Sequence, residues 1–399
     1  MLTIQQLKKT YTTEQVTLVL LARLYFNTIT RKEVVNFITE TTVKWPLLYK
    51  ITQAHGLRSF VHFIIKHHAI NAAPQFEEWL QKRYNKVRYQ NLTMAIAASK
   101  IISDLKERGI VIIPYKGPFF AHSYYSDIAL RESDDLDFLV AQNDVDEIEN
   151  YFISNNYSAK TTVPKGYLKY YKQHFKDIVY QTPATTDAFS VEMHWRLMEK
   201  FSGDYPAYDF FLPHLQANAI GGGLKVNKLS PTYDLIAVVS NHFVKDMSIK
   251  FKYMVDVACL VQKEGALIDK QVLYNTATRY GFKNRLQTGL ALTENLLGVT
   301  MGNQPGEITD VTAFLSVPLA FPLHLPRLYI NEPEFIKRSL QLQDNNWNRL
   351  KFIFKIVCYA FLPTYEDINQ QGSTPKHLLL LSITRPFRLF YRAIKTKKL

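Results

Sequence analysis

Apolar residues change their spacing at Gly109, and that change constrains the fold more than any other feature of the sequence. From Thr12 to about Arg108 they recur at three- and four-residue intervals, the period of a helix buried along one face. Thr12 with Gln15, and Thr30 with Glu33, match capping boxes, in which paired side chains satisfy N–H groups that a first helical turn leaves free. The last helix of this region is expected over roughly Asn91 to Arg108, with Gly109 as the residue type best suited to a left-handed C-terminal cap. Beyond it strands and helices alternate. Ile110 to Tyr115 is a short β-rich run, Gly117 to Ser126 suits a helix, Leu136 to Val140 a strand, and Val145 to Ser154 an amphipathic helix. Asp177 to Gln181 and Ala188 to Trp195 flank Pro183, Thr185 and Asp187, which predicts an antiparallel hairpin with a longer loop. Ser230 before Pro231 is an N-cap followed by proline at the first helical position, and it opens a second helical region running to about Leu297. These signals predict an α+β fold, a small mixed sheet carrying helices and flanked by helical regions. Four segments are expected: a helical region at 1–90, a core at 91–200, a second helical domain at 201–330 and a basic, aromatic segment at 331–399.

A chain of 399 residues with 47% hydrophobic residues has enough apolar surface for two or more cores. Its formal charge of +13 favours anionic partners, namely nucleotides, nucleic acid or an acidic membrane surface. The two cysteines, Cys259 and Cys358, are too few for a disulfide framework or a zinc site, which suits a reducing compartment. Met1 to Thr10 lacks the apolar region of a secretory signal, and Val311 to Pro326 is too short and too broken by prolines to span a bilayer. A cytoplasmic protein is expected, with peripheral contact to a membrane left open.

The segment Ser133-Asp134-Asp135-Leu136-Asp137-Phe138-Leu139-Val140 carries the chemistry. On a strand, period two points Asp135 and Asp137 to one face and Leu136 and Phe138 to the other, so the apolar side holds the acidic side in place. Carboxylates at i and i+2, with Cα atoms roughly 7 Å apart, suit a pair of divalent ions that orient a triphosphate. Oxygen ligands select Mg²⁺ or Mn²⁺ over zinc. Glu192, in Ser190-Val191-Glu192-Met193-His194-Trp195, offers a third acid to complete the cage or to take the proton of an attacking hydroxyl, with His194 on the same side. Lys116-Gly117 lies at a strand-to-helix turn, where glycine lets the backbone approach a phosphate and lysine adds a point charge. Arg131 is a second candidate phosphate contact.

In this order the residues resemble the nucleotidyltransferase fold typified by DNA polymerase beta, and within it a bacterial branch of largely uncharacterised nucleotidyltransferases. That branch has a similar succession of Lys-Gly, Arg, an Asp-x-Asp strand and an Asp-x-His-Trp strand. Here these are Lys116-Gly117, Arg131, Asp135-Leu136-Asp137 and Glu192-Met193-His194-Trp195. The likeness extends over most of residues 45–300, through helical stretches around Trp45 to His55 and around His242 and Asp256. It implies Mg²⁺- or Mn²⁺-dependent transfer of a nucleoside monophosphate from an NTP to a hydroxyl acceptor, releasing pyrophosphate. Asp135, Asp137 and Glu192 would be the catalytic metal ligands, and Lys116, Gly117, Arg131 and His194 would hold the nucleotide. Two features depart from the pattern. The wider superfamily usually has Gly-Ser or Gly-Gly at Lys116-Gly117, and the third acid of the branch is more often Asp than Glu. The alternative is a non-catalytic module that keeps the fold and uses its positive field to hold nucleotide or RNA.

Other features have plainer readings. His242 and Asp246, four apart, have the spacing of a metal pair on a helix, but a hydrogen bond along the helix surface explains it equally well and is the preferred reading. Asp256, an acid in an apolar helix, needs a partner when buried, and Lys252 one turn earlier is available. Gly221-Gly222-Gly223 lacks phosphate-loop spacing and suits a flexible turn. From Lys376 to Leu399 there are seven Lys or Arg and no acid, and Leu350 to Leu362 forms a basic, aromatic amphipathic helix ending at Pro363. Such a segment suits RNA, an anionic membrane surface, or packing on the helical domain.

Overall fold

The computed structural model describes residues 1–160, 163–183, 188–200, 203–220, 224–302, 310–319, 333–369 and 378–396. Gly221-Gly222-Gly223, Thr185, Asp187, the 320–326 part of the proline-broken run, and both ends of Lys376 to Leu399 lie outside the described residues.

Six helices lead in: α1 (Ile4–Thr10), α2 (Thr13–Tyr25), α3 (Arg31–Glu40), α4 (Trp45–His55), α5 (Arg58–His67) and α6 (Pro74–Glu107). The Thr12 and Thr30 capping boxes form, and Thr3 makes another with Gln6. Helix α6 is one element of 34 residues that begins at Pro74, not near Asn91. Its buried stripe explains the length, because Phe76, Leu80 and Val87 continue without a break into Met94, Ala98, Ile101 and Leu105. It stops where expected. Gly109 adopts φ +77° and the Ile110 N–H closes the cap on the Leu105 carbonyl.

The core follows: β1 (Ile113–Pro114), α7 (Gly117–Tyr124), β2 (Asp135–Leu139), α8 (Val145–Ser154), β3 (Ser158–Ala159), α9 (Leu168–His174), β4 (Asp177–Gln181) and β5 (Ser190–His194). The strands form one mixed sheet in the order β1-β2-β5-β4-β3, with β2 and β5 parallel and the other pairs antiparallel. Leu136, Phe138, Ile178, Tyr180, Val191 and Met193 turn one face into a core with the C-terminal half of α6 and with α8. The alternate residues therefore rise on the opposite face, and among them are Asp135, Asp137, Asp177, Glu192 and His194.

Next come α10 (Tyr208–Phe211), a hairpin of β6 (Leu215–Ile220) and β7 (Leu224–Leu229), α11 (Pro231–Val239), a π-helical turn at Ser240–Lys245, α12 (Phe251–Glu264), α13 (Lys270–Tyr280) and α14 (Lys283–Leu297). The hairpin is an addition to what the sequence predicts. Leu20, Leu21, Phe60 and Val61 from the N-terminal helices share one hydrophobic core with Leu235, Val257, Leu260 and Leu286, so the helical regions on either side of the sheet in sequence meet in space. The chain ends in α15 (Pro333–Gln341), α16 (Asn346–Ala360), α17 (Tyr365–Asn369) and α18 (Leu378–Thr396).

A buried ionic network ties these parts to β2. Arg131, four residues before Asp135, places Nε 3.0 Å from Asp256 Oδ1 and Nη2 3.2 Å from Oδ2, while Nη1 donates to Ser133. Asp256 on α12 also accepts from Tyr125 and from His242 Nε2 at 2.8 Å. The partner of Asp256 is thus Arg131 and not Lys252, because a guanidinium fork satisfies both carboxylate oxygens at once. Lys252 donates to the Glu132 carbonyl instead. His242 likewise does not bond Asp246. The π-helical turn removes the four-residue register, and Asp246 takes the Tyr253 hydroxyl. Glu132 is buried between Arg58 of α5 at 2.7 Å and Arg83 of α6 at 2.8 Å.

Replacing Asp256 by Asn strips the charge from a buried arginine's partner and is expected to cost about 3–5 kcal/mol in denaturant unfolding. Replacing both, Arg131→Met with Asp256→Leu, is expected to cost less than the single change. Burial acts to raise the Asp256 pKa, but Arg131 and then His242 outweigh it and hold the carboxyl well below the ordinary range. Its stabilisation is therefore complete above the unfolded value of about 3.9 and is lost as pH falls through the lowered one. Acid unfolding curves should show Asp256→Asn losing less stability on acidification than the unaltered chain.

Candidate active site

Register brings the functional side chains together. On the parallel pair, Asp137 of β2 lies opposite Glu192 of β5, and on the antiparallel pair His194 of β5 lies opposite Asp177 of β4. Since side chains two apart share a face, Asp135, Asp137, Glu192, His194 and Asp177 all stand on the face away from the α6 core. His194 is the centre of the row. Its Nε2 lies 3.1 Å from Asp137 Oδ1 and 3.2 Å from Glu192 Oε2, and its Nδ1 lies 3.4 Å from both Asp177 Oδ2 and Lys176 Nζ. Lys176 is in turn paired with Asp177. Asp137, Glu192 and His194 each offer a ligand atom, and these atoms lie within 4.8 Å of one another.

The strand-to-helix turn supplies the other cation. Lys116 is the N-cap of α7, and its Nζ reaches Asp137 Oδ1 at 2.8 Å while lying 4.9 Å from the centre of the Tyr115 ring. Gly117 has φ +67°, and a Cβ there would sit 3.3 Å from the Asp135 carbonyl oxygen. The glycine is needed for the close approach of α7 to β2. Tyr115 is buried with its ring edge-on to His194 at 5.7 Å.

Like charges on one face force their pKa values apart. Burial and the neighbouring Asp137 charge raise Asp135 to about 6, against the pull of Lys116. Burial acts the same way on Asp137, but Lys116 and the bond from His194 outweigh it and hold that carboxyl far below the ordinary range. Glu192 is also lowered, since His194 outweighs its burial. Burial and Lys176 both act to lower His194, yet Asp137 and Glu192 keep its pKa above the ordinary histidine value. The Lys116 ammonium and the His194 ring thus contact the carboxylates of this face.

The model of a family described as uncharacterised nucleotidyltransferase matches residues 41–298. The chain belongs to that family. Comparison with curated proteins and with solved structures gave no match. The family segment spans α4 to α14, so it contains the whole acidic face, while α1 to α3 precede it and α15 to α18 lie beyond it.

Of the residues singled out in the sequence, the structure brings Asp137, Glu192, His194 and Lys116 into contact around one point. Asp135 shares their face but stands outside the group within 4.8 Å. Gly117 contributes backbone. Arg131 is turned away: its guanidinium is bound to Asp256 and Ser133, and it holds the strand rather than meeting the carboxylates. Asp177, Lys176 and Tyr115 complete the site without having been singled out. The signal for Asp177 was present, since an antiparallel partner for Glu192-x-His194 must place an alternate residue beside the histidine.

Gly117→Ala would force a side chain into a left-handed backbone against the Asp135 carbonyl. It is expected to cost about 1–3 kcal/mol, measured by urea unfolding.

Proposed function

We propose that the protein transfers a nucleoside monophosphate from an NTP to a hydroxyl acceptor in a divalent-metal-dependent reaction that releases pyrophosphate. The observation that carries this reading is the convergence of Asp137, Glu192 and His194 within 4.8 Å on an acidic sheet face, in a chain of a nucleotidyltransferase family. The donors fit a hard cation. Asp135, Asp137 and Glu192 offer carboxylate oxygens from adjacent strands, and His194 aligns two of them. Held by Asp137 and Glu192, with Asp135 joining from the same face, Mg²⁺ or Mn²⁺ would offset the triphosphate charge in the transition state.

In this reaction the acceptor oxygen forms a bond to the α-phosphorus, and the bond from that phosphorus to the oxygen bridging to the β-phosphate breaks. Pyrophosphate leaves with the electron pair. Glu192, a quarter exposed where Asp137 is buried, would take the acceptor's proton on a carboxylate oxygen. Lys116, at the N-terminus of α7, would hold the departing phosphates by charge. His194 would keep Asp137 and Glu192 fixed, so that the site needs little reorganisation.

The acceptor's chemistry has a candidate location. Two residues past His194, Arg196 joins Lys200 and Lys355 around a cavity of about 460 Å³ whose wall includes Tyr205 and Tyr359, with Lys355 paired to Asp204 at 2.9 Å. Burial lowers the Lys200 pKa, and Arg196 and Lys355 lower it further, so these cations repel one another. An anionic acceptor with a ring or chain suits that lining.

Purified protein supplied with labelled NTPs, Mg²⁺ and a cell extract as the source of hydroxyl acceptors should release pyrophosphate and leave the nucleotide label on an acceptor, and a chelator should abolish both. Asp137→Asn, with folding checked by circular dichroism, should lower the release about 10²–10³-fold or more. Release that survives in both Asp135→Asn and Asp137→Asn would sink the proposal. A non-catalytic binder would instead hold nucleotide in the presence of chelator and lose it as salt rises.

A further inference from the structure

Helices α16 and α18 expose more large apolar side chains than the rest of the described residues together. On α16, Trp347, Leu350, Phe354 and Val357 recur at three- and four-residue spacing and are each more than half exposed. On α18, Leu379, Ile383, Phe387 and Phe390 do the same along one face. A soluble surface rarely gathers so much apolar area without a partner for it.

The opposite face of α18 is fixed. Leu381 is buried against Tyr167 and Ile368, and Arg385 places Nε 2.8 Å from the buried carboxylate of Asp367 while also donating to the Tyr359 carbonyl of α16. Arg388 reaches the same carboxylate at 3.4 Å. The helix is thus held by its polar seam with its apolar stripe outward, the reverse of a helix packed onto a core.

Charge identifies the occupant. Residues 346–399 contain ten Lys or Arg and only two acids, Glu366 and Asp367, of which Asp367 is already bound by arginines. An apolar stripe of Trp, Phe, Leu and Ile, in a segment whose sequence is this rich in lysine and arginine, matches the boundary between lipid headgroups and acyl chains of an anionic bilayer. Nucleic acid fits less well, because Arg385 and Arg388 face Asp367 and half of the outward stripe, Leu350, Val357, Leu379 and Ile383, is aliphatic and offers no ring for a base to stack on. No helix among the described residues is long and apolar enough to cross a membrane, so the surface would lie on the bilayer. We propose that α16 and α18 dock the protein on an anionic membrane surface.

The test uses the full chain and sedimentation with vesicles of phosphatidylglycerol and phosphatidylcholine, against phosphatidylcholine alone. Sedimentation is expected with the anionic vesicles, together with a blue shift of tryptophan emission as Trp347 enters the interface. Leu379→Glu combined with Phe387→Glu should weaken vesicle binding by about tenfold or more. The thermal transition should be unchanged, since both side chains are exposed. The proposal is overturned by no sedimentation, or by sedimentation that the paired substitution leaves intact. It is also overturned if light scattering shows a dimer that the substitution disperses, which would make a second copy the occupant. Retention of a single-stranded RNA oligonucleotide with vesicles ignored would overturn it in favour of nucleic acid.

Discussion

The buried pair of Arg131 and Asp256 is the constraint on which the site's geometry rests. Two ions removed from water carry a desolvation cost that only close, saturated pairing offsets, and here the saturation is nearly complete. Both carboxylate oxygens meet the guanidinium, and Tyr125 and His242 take the remaining positions. The pair joins α12, deep in the helical core, to the residues that enter β2. Glu132 adds α5 and α6 through Arg58 and Arg83, and Asn91 of α6 donates to the Arg131 carbonyl. With the chain held at residues 131 and 132 by three helices, β2 has no freedom to slip. A shift of one residue would exchange Asp137 for Phe138 on the acidic face.

That fixity matters because the face itself is electrostatically unfavourable. Asp135, Asp137, Glu192 and Asp177 stand on neighbouring strands of one sheet, and their mutual repulsion is relieved by Lys116, His194 and Lys176. These partners are of two kinds. His194 lies between strands, rigid and bonded through its ring, whereas Lys116 sits at the end of a flexible stem on the neighbouring turn. A divalent ion binding Asp137 would compete with Lys116 for the same oxygen. The lysine can follow its charge to a phosphate with little rearrangement of the sheet. The histidine stays with the carboxylates it aligns.

The acidic strands were legible because strand period is local: Asp135-Leu136-Asp137-Phe138 and Glu192-Met193-His194 declare their faces without reference to the rest of the chain. The helix caps at Thr12, Thr30 and Gly109 were legible for the same reason. What escaped depended on distant partners. Nothing near Asp256 in sequence points to Arg131, 125 residues away, and helix spacing pointed to Lys252 instead. His242 was paired with Asp246 by counting four residues, a count that holds in an α-helix and fails in a π-helical turn. The β6–β7 hairpin escaped because its polar residues Gln216, Asn218, Lys225 and Asn227 leave too little apolar alternation to separate a strand from a loop.

Helix α18 turns the same logic toward the end of the chain. Its buried seam is narrow, with Leu381 against Tyr167 and Ile368, and its orientation depends on Arg385 meeting Asp367. A buried ion pair is weak evidence of stability, because desolvation offsets much of its Coulombic gain. The energy that holds such a helix must come mainly from apolar contact, and most of this helix's large apolar residues are outside that seam. Its stability is expected to depend on what covers that outward face. It would rise when the outward stripe is covered, so the occupant of that face and the order of the C-terminal helix are linked: whatever binds the stripe also fixes the helix.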